Sequence, residues 1–174
     1  MATLDLLHIS IADQCLYGFA DNRLLLRLPV STALNGVGEQ NGSGCTPRGR
    51  HLVRGKIGAG LPLGAVLRGR RWTGEVWSAE LAEAAPGRDW ILSRILWLSG
   101  CEPGRNRLGN VDTFRRYVYL HGTPDTEPMG VALSHGCVRM RNSDVLQLFE
   151  QVPVNCAVMI DEAPCPDWAA LPLD

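Results

Sequence analysis

Tyr117-Val118-Tyr119-Leu120-His121-Gly122-Thr123, followed after ten intervening residues by Ser134-His135-Gly136-Cys137-Val138-Arg139-Met140, carries the most informative pattern in the chain. The aromatic and β-branched run 117–120 reads as a strand that delivers His121 at its end. Beyond Met140, Asn142 or Ser143 can cap a helix and Asp144 complements its N-terminal dipole. Val145, Leu148, Phe149 and Val152 then recur at helical spacing until Pro153 intervenes. Strand, glycine-permitted turn and helix thus succeed one another around a single thiol.

Working outward, residues 6–11, 16–19 and 23–30 are apolar-rich and suggest a β-meander with a hairpin turn at Ala20-Asp21-Asn22. Asn35-Gly36-Val37-Gly38-Glu39-Gln40-Asn41-Gly42-Ser43-Gly44 reads as a loop. It is no phosphate cradle, because Cys45-Thr46-Pro47-Arg48-Gly49 lacks the Lys-Ser/Thr that opens the helix of such a site. Strand character resumes at 50–57, and 65–70 with 75–78 predict a hairpin around Trp72-Thr73-Gly74. The glycine-rich segment 60–87, carrying Trp72 and Trp77, is either a lid or an ordinary hairpin. Residues 90–99 fit a buried strand or a short helix, and their β-branched and aromatic content favours the strand. Residues 154–160 alternate as a closing strand, and a proline-punctuated tail follows.

The chain has 174 residues, 45% of them hydrophobic, enough for one domain with its own core. A formal charge of −1 offers no field for nucleic acid or an anionic membrane. Asp5, His8 and Asp13 interrupt any signal-like core, and no stretch approaches the roughly 20 apolar residues of a membrane span. The expected location is cytoplasmic, or periplasmic if Met1 is not the native start. Cys15, Cys45, Cys101, Cys137, Cys156 and Cys165 are expected as free thiols, since disulfide scaffolds are typically shorter secreted chains.

Two histidines and a cysteine fall within 121–137, and the chain holds only four histidines. A thiol is only slightly ionised near neutral pH, so a nucleophilic cysteine wants an imidazole beside it. By residue type His121 or His135 could serve. His135 lies two positions before Cys137 on the same extended segment and need not converge on it. His121 comes from a separate element, which favours it as the base. Gly136 permits a path that aims the amides of His135, Gly136 and Cys137 at one spot, an oxyanion hole. Arg139 could hold a substrate carboxylate. A zinc site of Cys101, His121, His135 and Cys137 lacks Cys-x-x-Cys or His-x-x-x-His spacing, so no metal and no cofactor is expected.

His121-Gly122-Thr123 with Ser134-His135-Gly136-Cys137-Val138-Arg139-Met140 resembles the signature of the L,D-transpeptidase (YkuD-type) catalytic domain. Leu28-Pro29-Val30-Ser31-Thr32-Ala33 and Thr46-Pro47-Arg48-Gly49-Arg50-His51 are similar to that family's upstream stretches, in the right order. The resemblance covers residues 4–161, leaving 162–174 as a tail. It implies a mainly β fold, a sandwich or barrel of mixed sheets with a few short helices, one of them after the cysteine motif.

It also implies that Cys137 attacks the bond between the third and fourth residues of a peptidoglycan stem peptide, with His121 as base. A backbone carbonyl such as that of Gly122 would orient His121, the amides around His135 and Gly136 would hold the oxyanion, and Ser134 and Arg139 would bind substrate. Terminal D-Ala leaves, and the acyl-enzyme passes to an amine, giving a 3-3 crosslink, or to water. A domain starting almost at Met1 suggests an L,D-carboxypeptidase trimming soluble muropeptides in recycling. The alternatives are a periplasmic L,D-transpeptidase and, in another class, a catalytically dead peptidoglycan-binding module. Acylation of Cys137 by carbapenem-type β-lactams is a further implication.

Overall fold

The computed structural model describes residues 1–165, so most of the expected tail 162–174 lies outside the described residues. Ten strands form one mixed sheet that curls on itself: β1 (Leu6–Ser10), β2 (Cys15–Ala20), β3 (Arg23–Pro29), β4 (Gly49–Ile57), β5 (Ala65–Arg68), β6 (Arg71–Val76), β7 (Ile91–Gly100), β8 (Tyr119–Thr123), β9 (Val138–Arg141) and β10 (Ala157–Asp161). Two α-helices accompany them, α1 (Ala79–Ala84) and α2 (Asn142–Gln151). The fold is mainly β with a helix directly after the cysteine motif.

The strands run in the order β3-β2-β1-β10-β4-β7-β5-β6, with β8 bonded to β7 and then to β9. Among the described strands, the β1–β10 and β8–β9 pairs are parallel and the other pairs antiparallel. The branch point is β7. One edge carries β4 along residues 95–100 and β5 at 91–92, while the opposite edge carries β8. Its burial on both sides explains the nearly continuous apolar run. Leu120, Val138 and Met140 point from β8 and β9 into the main core, where Val145, Leu148 and Phe149 of α2 meet Leu96 and Leu98 of β7. The helical spacing of α2 is thus the stripe that closes the core over the sheet.

Several local expectations are corrected. The β5–β6 turn falls at Gly69-Arg70, not at Trp72-Thr73-Gly74, which lie within β6. Both turn residues have positive φ, 54° and 63°, the requirement of a tight two-residue hairpin, and Gly69 meets it at no steric cost. Helix α1 was not legible in the segment 60–87. Strand β8 starts at Tyr119 rather than Tyr117, whose φ of 56° breaks extended geometry, so His121 sits in mid-strand. Neither Asn142 nor Ser143 caps α2. The N-cap position is Arg141 without a side-chain bond, and the Asn142 amide donates instead to Thr123 O at 2.9 Å.

Candidate active site

The β8–β9 pair builds the site. Parallel register sets Leu120 beside Val138 and His121 beside Arg139. Side chains alternate along a strand, so the even positions of both strands fill the core while Tyr119, His121, Cys137 and Arg139 share the opposite face. His121 and Cys137 are diagonal neighbours on that face, about 7–8 Å apart between backbones and within reach of their side chains. A long sequence separation is converted into adjacency by backbone pairing alone.

The face opens into a cavity of about 610 Å³ lined among others by Cys137, His121, Tyr119, Asp89, Arg70 and Arg116. Asn41, Gly42 and Gly44 of the glycine-rich loop form part of its rim. A smaller hollow of about 300 Å³ adjoins it, sharing Asp89, His135 and Arg139 and adding Glu127 and Arg88. The hairpin tip at Gly69-Arg70 contributes to the wall of the larger cavity, so segment 60–87 is a hairpin, followed by a short helix, that borders the site.

His121 is 1% exposed, and its Nδ1 donates to the Gly122 carbonyl at 2.7 Å, which leaves Nε2 as the unprotonated, accepting nitrogen. Gly122 is obligatory for a packing reason too, since a Cβ there would meet Asn142 Oδ1 at 2.5 Å and Leu92 O at 2.6 Å. Asn142 is itself locked, taking a hydrogen bond from Ser93 Oγ at 2.6 Å. Burial holds the His121 imidazole below its ordinary range, so it is neutral at pH 7; the Gly122 carbonyl and Asp89 pull weakly the other way.

Cys137 is half-buried. Its Sγ accepts from the Tyr119 amide at 3.3 Å and donates to Tyr117 O at 3.4 Å, and no hydrogen bond joins it to His121. Burial pushes the thiol up to about 11, only partly offset by the Tyr119 amide. Burial thus favours the neutral form of both groups, thiol and imidazole. To pass its proton to His121 the thiol must turn away from Tyr117 O.

His135, by contrast, has a side chain 74% exposed and lies 3.5 Å from Asp89 Oδ2. Arg139 is buried and bonded to Asp89 at 3.1 Å. Asp89 is the residue sequence reasoning missed, having no motif around it. Gly136 has φ +129°, and its amide donates to Ser134 Oγ at 3.3 Å; the amides of His135 and Cys137 have no acceptor among the described residues. Ser134, expected to bind substrate, lines the cavity; it is 1% exposed and its hydroxyl donates to Cys137 O within the turn.

The upstream stretches hold this turn from behind. Arg139 and Ser31 exchange backbone hydrogen bonds, both at 2.9 Å, Leu34 N donates to Ser134 O at 3.0 Å, and Thr46 Oγ1 donates to Gly136 O at 2.9 Å. Arg116 ties the glycine-rich loop down through Gly38 O, Glu39 O and Cys45 O. Among the described residues no group of three or more His, Cys, Asp or Glu is placed to hold a metal ion.

A thiol, an imidazole with a free Nε2 and unsatisfied amides on one cavity wall suit acyl transfer through a thioester. Residues 5–160 match the L,D-transpeptidase catalytic domain (YkuD), and the chain belongs to that family. Over 49 residues it is 45% identical to "Probable L,D-transpeptidase YbiS" of Escherichia coli K12, a match covering 28% of this chain and 16% of that protein. "Probable L,D-transpeptidase ErfK/SrfK" of Salmonella typhimurium is 41% identical over the same length, again 28% and 16%. The chain thus matches only a minor part of these curated relatives.

Solved structures share the fold. An L,D-transpeptidase from Mycobacterium smegmatis superposes with TM-score 0.56 at 16% identity, over 90% of this chain and 58% of that one. L,D-transpeptidase 3 from Mycobacterium tuberculosis, solved with a faropenem-derived adduct, gives TM-score 0.53 at 14% identity, over 90% and 60%. No described helix is long and apolar enough to cross a membrane.

Proposed function

We propose that this protein is a cysteine-dependent L,D-carboxypeptidase that removes terminal D-Ala from peptidoglycan tetrapeptide stems. The observation that carries the reading is His121, locked by Gly122 O with Nε2 left unprotonated on the wall that holds Cys137. Cys137 Sγ attacks the carbonyl carbon of the third residue as its proton passes to His121 Nε2. The free amides of His135 and Cys137 stabilise the oxyanion. The C–N bond breaks, the Nε2 proton goes to the departing amine, and D-Ala leaves. Water, deprotonated by His121, then attacks the thioester and releases the tripeptide and the thiol.

The cationic lining of the cavity suits an anionic peptide that ends in a free carboxylate, the form a carboxypeptidase consumes. The six cysteines stand as free thiols, which fits a reducing compartment and the recycling of soluble muropeptides in the cytoplasm. A second reading is L,D-transpeptidation in the periplasm, favoured by the adjoining hollow, where Asp89 and Glu127 could receive an acceptor ammonium. Both share every step to the acyl-enzyme. A carbapenem would acylate the same thiol.

Incubating the protein with disaccharide-tetrapeptide, alone and with an acceptor stem, and weighing the products separates the outcomes. Tripeptide and free D-Ala as main products support hydrolysis; a dominant 3-3 dimer overturns it in favour of transfer. Binding without turnover would leave a peptidoglycan-binding module.

A further inference from the structure

The guanidiniums lining the main cavity are not equivalent. Arg139 is matched by Asp89 at 3.1 Å. Arg116 donates to three backbone carbonyls and to Ser43 Oγ, so its role is to hold the loop. Arg70 makes one hydrogen bond among the described residues, Nη1 to Tyr119 Oη at 3.2 Å. Its guanidinium carbon lies 4.8 Å from both the Trp97 and the Tyr117 ring centroids. The two ring contacts use no N–H group, and with a single hydrogen bond made, the other N–H groups of Arg70 have no acceptor among the described residues, which allows a carboxylate to take two bonds.

The placement is built rather than incidental. Arg70 occupies the second position of the tight β5–β6 turn at φ +63°, a conformation that costs a non-glycine residue energy. Beneath it Tyr117 also takes positive φ, and Trp97 is stacked on Phe114 at 3.9 Å, so the platform is itself supported. Tyr119 measures the distance to the chemistry, for its amide touches Cys137 Sγ while its hydroxyl touches Arg70. Thiol and guanidinium are therefore one tyrosine apart, a span that a bound peptide covers in one or two residues at ~3.5 Å each.

We infer that Arg70 binds a carboxylate of the substrate next to the scissile bond, and so sets the preference of the cavity for a peptide bearing that free acid. The inference rests on the stem-peptide reading above. In a stem whose third residue is a diamino diacid, two carboxylates qualify: the C-terminal one of the leaving residue and the side-chain one of the third residue.

The test uses Cys137→Ala protein and three tetrapeptides, namely the free acid, its C-terminal amide and its third-residue side-chain amide, with binding followed by calorimetry. Adding Arg70→Gln should weaken free-acid binding about 10–100-fold, the value of a charged bidentate contact. One amide should already bind weakly and lose nothing further, and its identity names the carboxylate. Arg70→Lys should recover part of the loss, and with Cys137 intact Arg70→Gln should raise KM more than it lowers kcat. Equal weakening for all three peptides, no weakening, or a lowered Tm that accounts for the loss overturns the assignment to Arg70 alone. If no stem peptide binds Cys137→Ala and wild type consumes none, the stem-peptide reading itself falls, and this inference with it.

Discussion

His51 in β4 and His121 in β8 are 2% and 1% exposed, and each donates Nδ1–H to a nearby backbone carbonyl, that of Gly49 at 3.0 Å and that of Gly122 at 2.7 Å. Burial depresses both imidazoles, His51 to about 4. They part at the other nitrogen. His51 Nε2 is bonded to Thr113 Oγ1 at 2.9 Å, joining β4 to the segment ahead of β8, whereas His121 Nε2 has no partner among the described residues and its ring lines the cavity. The same local device is structural when its second valence is filled and becomes chemical when that valence is left open.

The comparison breaks most sharply at His121. His121→Ala should lower kcat/KM about 10³–10⁴-fold with little change in Tm, whereas His51→Gln should lower stability and leave activity per folded molecule near wild type. Steady-state kinetics beside thermal unfolding checks both; equal activity losses would erase the distinction. Gly122→Ala should be next, costing about 3–4 kcal/mol in urea unfolding, because its Cβ meets Asn142 Oδ1 and Leu92 O at 2.5 and 2.6 Å. It should also lower kcat by moving the carbonyl that orients His121.

The acid response of stability sharpens the contrast further. His51 has a folded value of about 4 against an ordinary 6.5, so below pH 6.5 the unfolded chain takes up a proton that the folded one refuses. The stabilisation is whole above pH 6.5 and is lost progressively as pH falls from 6.5 to 4, up to about 3 kcal/mol. Urea midpoints across that range should fall less steeply in His51→Gln than in wild type, and parallel curves would refute the assignment. Iodoacetamide should label Cys137 about 100-fold more slowly at pH 7 than a thiol of ordinary 9.0, since burial lifts it to about 11. Mass spectrometry against Cys137→Ala isolates that site, and fast labelling would mean a resting ion pair with His121. The smallest effect is expected from Thr113→Val, about 1–2 kcal/mol, as His51 Nε2 loses its donor without any change in chemistry.

The contrast also marks what a sequence can disclose. The mainly β class is legible because short alternating runs and glycine turns are local signals, and α2 because its stripe is periodic. Cys137 and His121 stand out by residue type and flanking glycines. Which of His121 and His135 is buried depends on β8 lying between β7 and β9, yet separate elements already point the right way. Asp89 and Arg70 carry no motif of their own and reach the site only through long-range pairing, while Thr46, inside a recognisable stretch, shows its bond to Gly136 O only in the structure. The bond of the Ser134 hydroxyl to Cys137 O is likewise invisible in the sequence, because it is set by the backbone geometry of the turn. The β5–β6 turn is misplaced from sequence because Arg70 adopts a positive φ that its residue type does not advertise.

His121 and Cys137 are held in proximity by the parallel pairing of β8 with β9 together with the braced turn 134–137, and the more exposed part of the connection, 125–131, lies outside that frame. The largely exposed stretch from Asp125 to Val131 touches the frame at its two ends, through Asp125 Oδ1 accepting from Asn142 and Gly130 N donating to Val30 O. Between those two anchors, residues gained or lost leave the pairing of β8 with β9, and so the reach of the base to the thiol, in place. In evolutionary terms the catalytic distance is insulated from the strap that spans it, so this strap can be lengthened, shortened or grafted to change what is admitted while the chemistry stays in register.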